Sequence, residues 1–216
     1  MKILIDNGHG VNTAGKKSPD KQLLEYKYNR EIAIQLVAEL KAKGYDAERI
    51  VTEETDISLG ERCRRVNAIC NKIGTANVIL ISVHVNAAGS GGVWRSAGGW
   101  CAYTTRGVTK SDAIATKLYE AAKVSLAAYA EALEAGKKTG LYDSKQRPFR
   151  TDYQDGDADQ EADFYIIKNT KCPAVLTENL FMDNKTDMAF LLSEAGRKAI
   201  VDLHVNGIIN YIKSVK

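Results

Sequence analysis

The chain of 216 residues lacks most of the features that would quickly suggest a function. Its formal net charge is only +3, and basic residues are scattered among acidic ones, which argues against a nucleic-acid-binding surface. No apolar run approaches the roughly 20 residues that a membrane-spanning helix needs. The four cysteines form no C-x-x-C pair, so we expect free buried thiols, with a structural disulfide as the alternative.

The N-terminus also lacks the pattern of a secretory signal. Met1 leads directly into an apolar strand-like run, without a basic region, a longer apolar segment or a cleavage site. We therefore expect synthesis in the cytoplasm, although a chain whose signal had been removed would look the same. No linker or internal repeat divides the sequence, and its length predicts a single domain over residues 1–216.

Short apolar runs alternate with amphipathic segments along the chain, which predicts an α/β fold. Strands are expected at residues 2–6, 45–51, 77–85, 99–105, 164–168 and 174–178. Helices are expected at residues 23–43, 57–73, 110–136 and 194–213, with a shorter helix capped by Asn184 before the last one. This alternation predicts a mainly parallel, twisted sheet with helices on both faces.

Only three histidines are present, and two of them follow predicted strands. His9 lies in a Gly-His-Gly turn after the first strand, and His84 ends the most hydrophobic run of the chain. The crevice beyond the carboxyl ends of parallel strands is where such folds place their chemistry. Two imidazoles delivered there indicate a metal site, and the alternative is two hydrogen-bonded histidines without a metal.

A third ligand is expected from a carboxylate. Glu25 lies at the entry of the first long helix, from where it can point toward the same edge of the sheet; Asp6, Asp20 and Glu31 compete on proximity alone. Two histidines and one carboxylate form a catalytic zinc arrangement that leaves one position open for water. Imidazole donors favour Zn²⁺ over Ca²⁺ or Mg²⁺, although the local HExxH motif is absent.

A second carboxylate follows another strand-like run. The segment 173–179 delivers Glu178 near its C-terminal end, and a parallel strand would bring this residue to the edge that carries both histidines. A zinc hydrolase needs a carboxylate that takes a proton from water and passes it to the leaving amine. Glu178 is the candidate for that role, and the alternative is a capping or ion-paired surface glutamate.

Five segments in order resemble the zinc-dependent N-acetylmuramoyl-L-alanine amidases of the amidase_3 type. The resemblance covers almost the whole chain. The segments are Ile5-Asp6-Asn7-Gly8-His9-Gly10, Glu25 with Asn29, the helix from Leu59 through Arg62 to Ala68, Ile81-Ser82-Val83-His84-Val85-Asn86-Ala87, and Pro173-Ala174-Val175-Leu176-Thr177-Glu178 with Phe181 to Asn184.

The resemblance implies an enzyme that cleaves the amide between N-acetylmuramic acid and the L-Ala of the peptidoglycan stem peptide. His9, Glu25 and His84 would bind Zn²⁺, Glu178 would be the general base and acid, and Arg62 and Asn86 would be architectural. The substrate would be peptidoglycan or a muropeptide, the enzyme a monomer, and its source a phage or prophage lysin or a secreted enzyme without its signal.

Two other functions stay open at this point. One is a zinc peptidase that acts on free muropeptides or other peptides, and the other is a catalytically silent peptidoglycan-binding module. The chain also departs from the family pattern. Residues 139–163 are longer than expected and match no family motif, and Asn179-Leu180 stands where the family favours a small residue.

Some remaining signals predict ordinary structural roles. Asp155-x-Asp157-x-Asp159 resembles the start of a calcium loop, but Gln160 and Ile166 replace the glycine and glutamate that such a loop requires, so a solvated acidic loop is expected.

The third histidine and the aromatic residues after His84 are also more typical of structure than of chemistry. His204 is expected to be structural or exposed in the last helix. Trp100 is expected in the core, and Trp94 is the better candidate for lining a groove, with Tyr103 as a further possibility.

Overall fold

Six strands form one sheet at the centre of the computed structural model, which describes residues 1–89 and 92–215. They are β1 (Lys2–Asn7), β2 (Asp46–Arg49), β3 (Val78–Asn86), β4 (Cys101–Thr104), β5 (Gln160–Glu161) and β6 (Ala174–Phe181), in the order β2-β1-β3-β6-β4-β5. The first four strands in this order are parallel, and β4 runs antiparallel to β6 and parallel to β5. The expected mainly parallel sheet is confirmed.

Helices cover both faces of the sheet. They are α1 (Glu25–Ala42), α2 (Leu59–Ile73), α3 (Asp112–Ser125), α4 (Ala127–Lys138), α5 (Tyr165–Lys168), α6 (Lys185–Leu192) and α7 (Glu194–Ser214), with a 3-10 helix at Thr75–Asn77. Helices α1, α3 and α7 pack together on one face, and α2 and α5 pack together on the other.

Successive residues of the central strands enter different cores. Ile3 and Ile5 of β1 belong to the larger apolar cluster, whereas Leu4 belongs to the smaller one. Ile79 and Leu80 of β3 divide in the same way. Because both faces of these strands are buried, their sequences are almost continuously apolar.

The strand predicted at residues 164–168 is wrong, because this segment is the short helix α5. Lys168 and Asn169 donate backbone hydrogen bonds to the carbonyls of Phe164 and Tyr165, each at 3.0 Å. Ile166 and Ile167 are both buried in the smaller core, which adjacent residues of a strand could not achieve because they face opposite sides.

The helix predicted over residues 110–136 is two helices, since the backbone leaves helical geometry at Leu126 between α3 and α4. Other local predictions are confirmed. Gly44 follows α1 with φ +82°, and the Asn184 side chain caps α6 by accepting hydrogen bonds from the backbone N–H groups of Thr186 and Asp187. The four cysteines are free and buried. Within the described ranges, no helix has the length and apolar character needed to cross a membrane.

Candidate active site

The Gly8-His9-Gly10 turn follows β1 and brings an imidazole to the carboxyl edge of the sheet. A Cβ added at Gly8 would lie 2.1 Å from Cε1 of His84, and one at Gly10 would lie 2.1 Å from the backbone nitrogen of Asp56. His9 itself has φ +68°. Glycine is therefore required on both sides of His9 by close approach of neighbouring atoms.

His9, Glu25 and His84 come together as the sequence predicts. Oε1 of Glu25 lies 3.4 Å from Nε2 of His9 and 3.2 Å from Nδ1 of His84. One ligand atom from each of the three residues lies within 4.8 Å of the other two. The side chain of Glu25 is only 1% exposed, whereas the imidazoles of His9 and His84 are 18% and 16% exposed, so the group opens to solvent on the histidine side.

The other carboxylates that were candidate ligands have different partners. Asp6 accepts hydrogen bonds from Arg62 and Ser82, at 2.5 and 2.6 Å. Asp20 accepts a hydrogen bond from a nearby serine, and Glu31 pairs with an arginine of α7. Among the four competing carboxylates, Glu25 alone joins the two histidines.

Glu25 is a buried anion with incomplete hydrogen bonding. Its Oε1 accepts the backbone N–H of Val85 at 3.2 Å, whereas its Oε2 has no hydrogen-bond partner among the described residues. Burial raises the pKa of Glu25, but hydrogen bonds with His84 and His9 outweigh it and hold the pKa well below its usual range. Burial lowers the pKa of His84, and contact with Glu25 raises it by more.

Glu178 lies directly beside this group. It is partnered with His84 in the parallel register of β3 and β6. The residue is partly exposed, but its Oε2 is buried without a hydrogen-bond partner in the described chain. Burial raises the pKa of Glu178 to about 7, with a smaller contribution in the same direction from the charge of Glu25. A carboxyl group near this pKa can both accept and release a proton at neutral pH.

Arg62 fixes the loop that carries His9. Its buried guanidinium donates to the carbonyl of Asn7 at 2.8 Å and to that of His9 at 3.4 Å, and it pairs with Asp6 and Asp56. The architectural role predicted for Arg62 agrees with these contacts. Arg62 positions the backbone of the turn and does not point its charge at the histidines.

Asn179 is a further residue of the site, and its role is not predicted from the sequence. Its side-chain amide donates to the backbone carbonyl of His84 at 2.9 Å and accepts the indole N–H of Trp100 at 2.9 Å. The one signal available was a polar residue next to Glu178 in an otherwise apolar strand. Trp100 is fully buried, as expected for a core residue.

Neither His204 nor Trp94 belongs to the group formed by His9, Glu25 and His84. His204 is fully buried and hydrogen-bonded to Thr177 and to the carbonyl of Ile200. Trp94 is partly buried, and the ammonium group of Lys185 lies 5.6 Å from its ring centroid.

A cavity of about 340 Å³ opens beside the two histidines. Its walls combine the His9 and His84 imidazoles with the polar side chain of Asp56 and the apolar side chains of Ile57 and Leu59. A substrate in this space would meet the exposed side of the candidate metal ligands. Glu25 and Glu178 are not among the residues that line this cavity, so it reaches the candidate metal ligands from the histidine side only.

Two imidazoles and one carboxylate, with a second carboxylate beside them at the carboxyl edge of an α/β sheet, are the donor set of a metal-dependent hydrolase. Comparison with protein families identifies this hydrolase. The family Amidase_3, N-acetylmuramoyl-L-alanine amidase, matches residues 3–210, so the chain belongs to this family. It is an N-acetylmuramoyl-L-alanine amidase that acts on peptidoglycan.

Individual relatives agree with the family. The chain is 24% identical to the endolysin of Bacillus phage SPP1 over 99% of this chain and 67% of that protein. It is 29% identical to the N-acetylmuramoyl-L-alanine amidase LytC of Bacillus subtilis strain 168, over 98% of this chain and 35% of LytC.

Solved structures show the same fold. The crystal structure of an N-acetylmuramoyl-L-alanine amidase from Clostridium difficile 630 matches 100% of this chain and 98% of its own, with a TM-score of 0.74 and 22% identity. The catalytic domain of CwlV from Bacillus (Paenibacillus) polymyxa var. colistinus matches 99% of each chain with a TM-score of 0.70 and 22% identity.

Proposed function

We propose that His9, Glu25 and His84 bind a catalytic Zn²⁺ ion and that Glu178 transfers the protons of the amidase reaction. The observation that carries this proposal is the convergence of three ligand atoms within 4.8 Å, directly beside the carboxylate of Glu178. The substrate is the amide between the lactyl group of N-acetylmuramic acid and the L-Ala of the stem peptide.

The residues fit a zinc ion. Two imidazole nitrogens and one carboxylate oxygen are the three protein ligands of a catalytic zinc site with an open position. Oε2 of Glu25 is buried without a hydrogen-bond partner in the described chain, although it belongs to an ionised group. The ammonium group of Lys16 lies 4.0 Å from this oxygen, which is beyond hydrogen-bond distance, and its side chain is 44% exposed. A zinc ion would neutralise the buried anion by direct coordination.

When bound, Zn²⁺ supplies a Lewis acid that polarises the amide carbonyl and makes water more acidic. Glu178 accepts a proton from the attacking water while the new C–O bond forms. It then donates this proton to the nitrogen of L-Ala as the C–N bond breaks. The products are a carboxylic acid on the sugar side and a stem peptide with a free amino terminus, and Glu178 returns to its starting state.

Two further residues keep the ligands in place. Arg62 holds the backbone on both sides of His9, and Asn179 holds the carbonyl of His84. All four chemical groups come from one chain, so the proposed site is complete without a second copy, and we propose a monomeric enzyme. Its place of action is the cell wall, where its substrate lies.

The experiment that tests this proposal is digestion of purified peptidoglycan, followed by mass spectrometry. Zinc-loaded protein should release stem peptides that begin with a free L-Ala, and a chelator should abolish the release until zinc is restored. Cleavage only within the stem peptide would identify a peptidase instead. Intact glycan-linked peptides, despite one bound zinc per chain, would indicate a silent binding module.

The matched variant is Glu178→Ala. It should bind zinc with the wild-type stoichiometry and lose hydrolysis, because the three ligands are unchanged and the proton carrier is removed. Full activity of this variant would remove Glu178 from the mechanism.

A further inference from the structure

Three aspartates meet beside β4 and β5, the last two strands on one side of the sheet. Asp112 is the first residue of α3, whereas Asp157 and Asp159 lie in the loop before β5. One carboxylate oxygen from each residue lies within 4.8 Å of the other two. Thr104 of β4 contacts Asp159. Because β4 pairs antiparallel to β6 with Cys101 opposite Glu178, Thr104 lies nearer the N-terminal end of β6.

Asp159 is the most informative member of this cluster. Asp159 is only 2% exposed to solvent. Oδ2 accepts a hydrogen bond from the hydroxyl of Thr104 at 2.6 Å, but Oδ1 is buried and has no partner among residues 1–89 and 92–215. A buried carboxylate oxygen without a donor is a group that needs a ligand.

The charge of the cluster is compensated only in part, since Thr109 donates its backbone N–H and its hydroxyl to the two carboxylate oxygens of Asp112. Asp112 is buried like Asp159, and Asp157 is half-buried. None of the ion pairs formed within the described part of the chain includes any of the three carboxylates. Burial and the neighbouring carboxylate of Asp157 together raise the pKa of Asp159 to about 8, against the lowering effect of the hydrogen bond from Thr104. Either a shared proton or a bound cation can resolve this repulsion.

The donor atoms select the kind of cation. The cluster offers carboxylate oxygens and the hydroxyl of Thr104, with no imidazole or thiolate, so it suits a hard cation and differs from the His9 site. Calcium binds six to eight oxygens at about 2.3–2.6 Å in flexible geometry, so its ligand oxygens lie up to about 5 Å apart. Magnesium requires a smaller and more regular octahedron.

We propose that Asp112, Asp157 and Asp159 bind a calcium ion. The ion would join the loop before β5 to β4 and to the start of α3, and would thereby stabilise this edge of the sheet. Its ligands come from two segments that are 45 residues apart in the chain, from Asp112 to Asp157. For that reason it does not follow the spacing of a contiguous calcium loop. The proposal does not depend on the amidase mechanism.

The test uses the zinc-loaded protein in calcium-free buffer, with CaCl₂ or MgCl₂ added as the probe. Calcium at about 100 times its dissociation constant should raise the Tm by about 5 °C or more, and magnesium should raise it less. Isothermal titration should give one calcium ion per chain. Peptidoglycan hydrolysis should proceed without added calcium, because the three aspartates form a separate group from His9, Glu25 and His84.

Asp159→Asn is the decisive variant. Without calcium, it should be about as stable as the wild type at pH 7, because a carboxyl group whose pKa is raised to about 8 is already mostly neutral and an amide of the same shape replaces it. Its Tm should rise with calcium by less than a fifth of the wild-type rise. Asp155→Asn is the matched control, since Asp155 is exposed and outside the cluster, and this variant should keep the full calcium response.

A second variant, Asp157→Asn, keeps the test decisive if the substitution at Asp159 disturbs folding, because Asp157 is only half-buried. It should also lose the calcium response. The calcium titration should extend to about 100 times the dissociation constant of a weak extracellular calcium site. An unchanged Tm of the wild type over this range would overturn the proposal, and a shared proton would then relieve the repulsion between the three carboxylates. An equal calcium response in all three variants would overturn it as well.

Discussion

The side-chain amide of Asn179 donates a hydrogen bond to the backbone carbonyl of His84 across 2.9 Å. The contact lies where the β3–β6 register shifts between His84 and Asn86, so a side chain supplies a hydrogen bond at an interruption of the ladder. The same amide accepts the indole N–H of Trp100. Asn179 therefore connects a candidate metal ligand to the core.

Replacing Asn179 by alanine should lower the free energy of unfolding by about 1–3 kcal/mol, because the buried indole N–H of Trp100 loses its partner. Peptidoglycan hydrolysis should fall as well, since the backbone of His84 loses its restraint. Urea denaturation and a hydrolysis assay measure the two effects. The control is Asn206→Ala on an exposed position of α7, which should change stability by less than about 0.5 kcal/mol.

Replacing Gly8 by alanine should disrupt the metal site directly. The added methyl group would stand 2.1 Å from Cε1 of His84, so the imidazole or the turn must move. We expect loss of stoichiometric zinc and of activity, measured by metal analysis and peptidoglycan digestion.

Gly60→Ala is the matched control, because the nearest atom to its added Cβ is 3.9 Å away and the residue lies in α2. This variant should keep zinc and gain up to about 1 kcal/mol of stability. Equal zinc content in both variants would contradict the close packing of Gly8 on His84.

Much of the site was predictable because its chemistry follows local sequence patterns. His9 and His84 each follow an apolar run, and parallel strands deliver the residues after them to one edge. Glu25 is preferred over Asp6 as a ligand only because a residue at the start of a helix beside that edge can point toward the histidines. In the structure, Asp6 is held by Arg62 on the other side of the His9 loop.

Other features depend on contacts between distant residues. The apolar run of α5 is too short to show a periodicity that distinguishes a strand from a helix. In the structure Ile166 and Ile167 are both buried in the smaller core, which requires a helix. The contact of Asp112 with Asp159 depends on the path of the long loop after α4. No local pattern in the loop predicts that path, so the acidic segment looked like a solvated surface.

Removing Arg62 should be among the most damaging single substitutions. Its guanidinium is buried with Asp6, and it binds the carbonyls of the His9 turn. Arg62→Ala would leave a buried carboxylate without its cation, and we expect a loss of about 3–5 kcal/mol in the free energy of unfolding. Arg64→Ala, at an exposed ion pair two residues away, should cost less than about 1 kcal/mol. Similar losses in denaturant titrations of the two variants would contradict this assignment.

His204 should make the stability of the fold depend on pH. Burial lowers the pKa of His204 to about 4, from an ordinary value of 6.5, while its Nδ1 donates to the carbonyl of Ile200 and its Nε2 accepts from Thr177. Between these two values the unfolded chain binds a proton that the folded chain does not. The stabilisation is therefore complete above pH 6.5 and is lost as the pH falls to about 4.

The loss should amount to about 3 kcal/mol over that range, since each unit of pKa difference corresponds to about 1.4 kcal/mol. Chemical denaturation of the wild type and of His204→Gln at pH 7.5, 6 and 5 measures this dependence. The variant lacks the titrating group, so its free energy of unfolding should fall less steeply with decreasing pH. Parallel curves for the two proteins would show that another group, and not His204, sets the acid sensitivity of the fold.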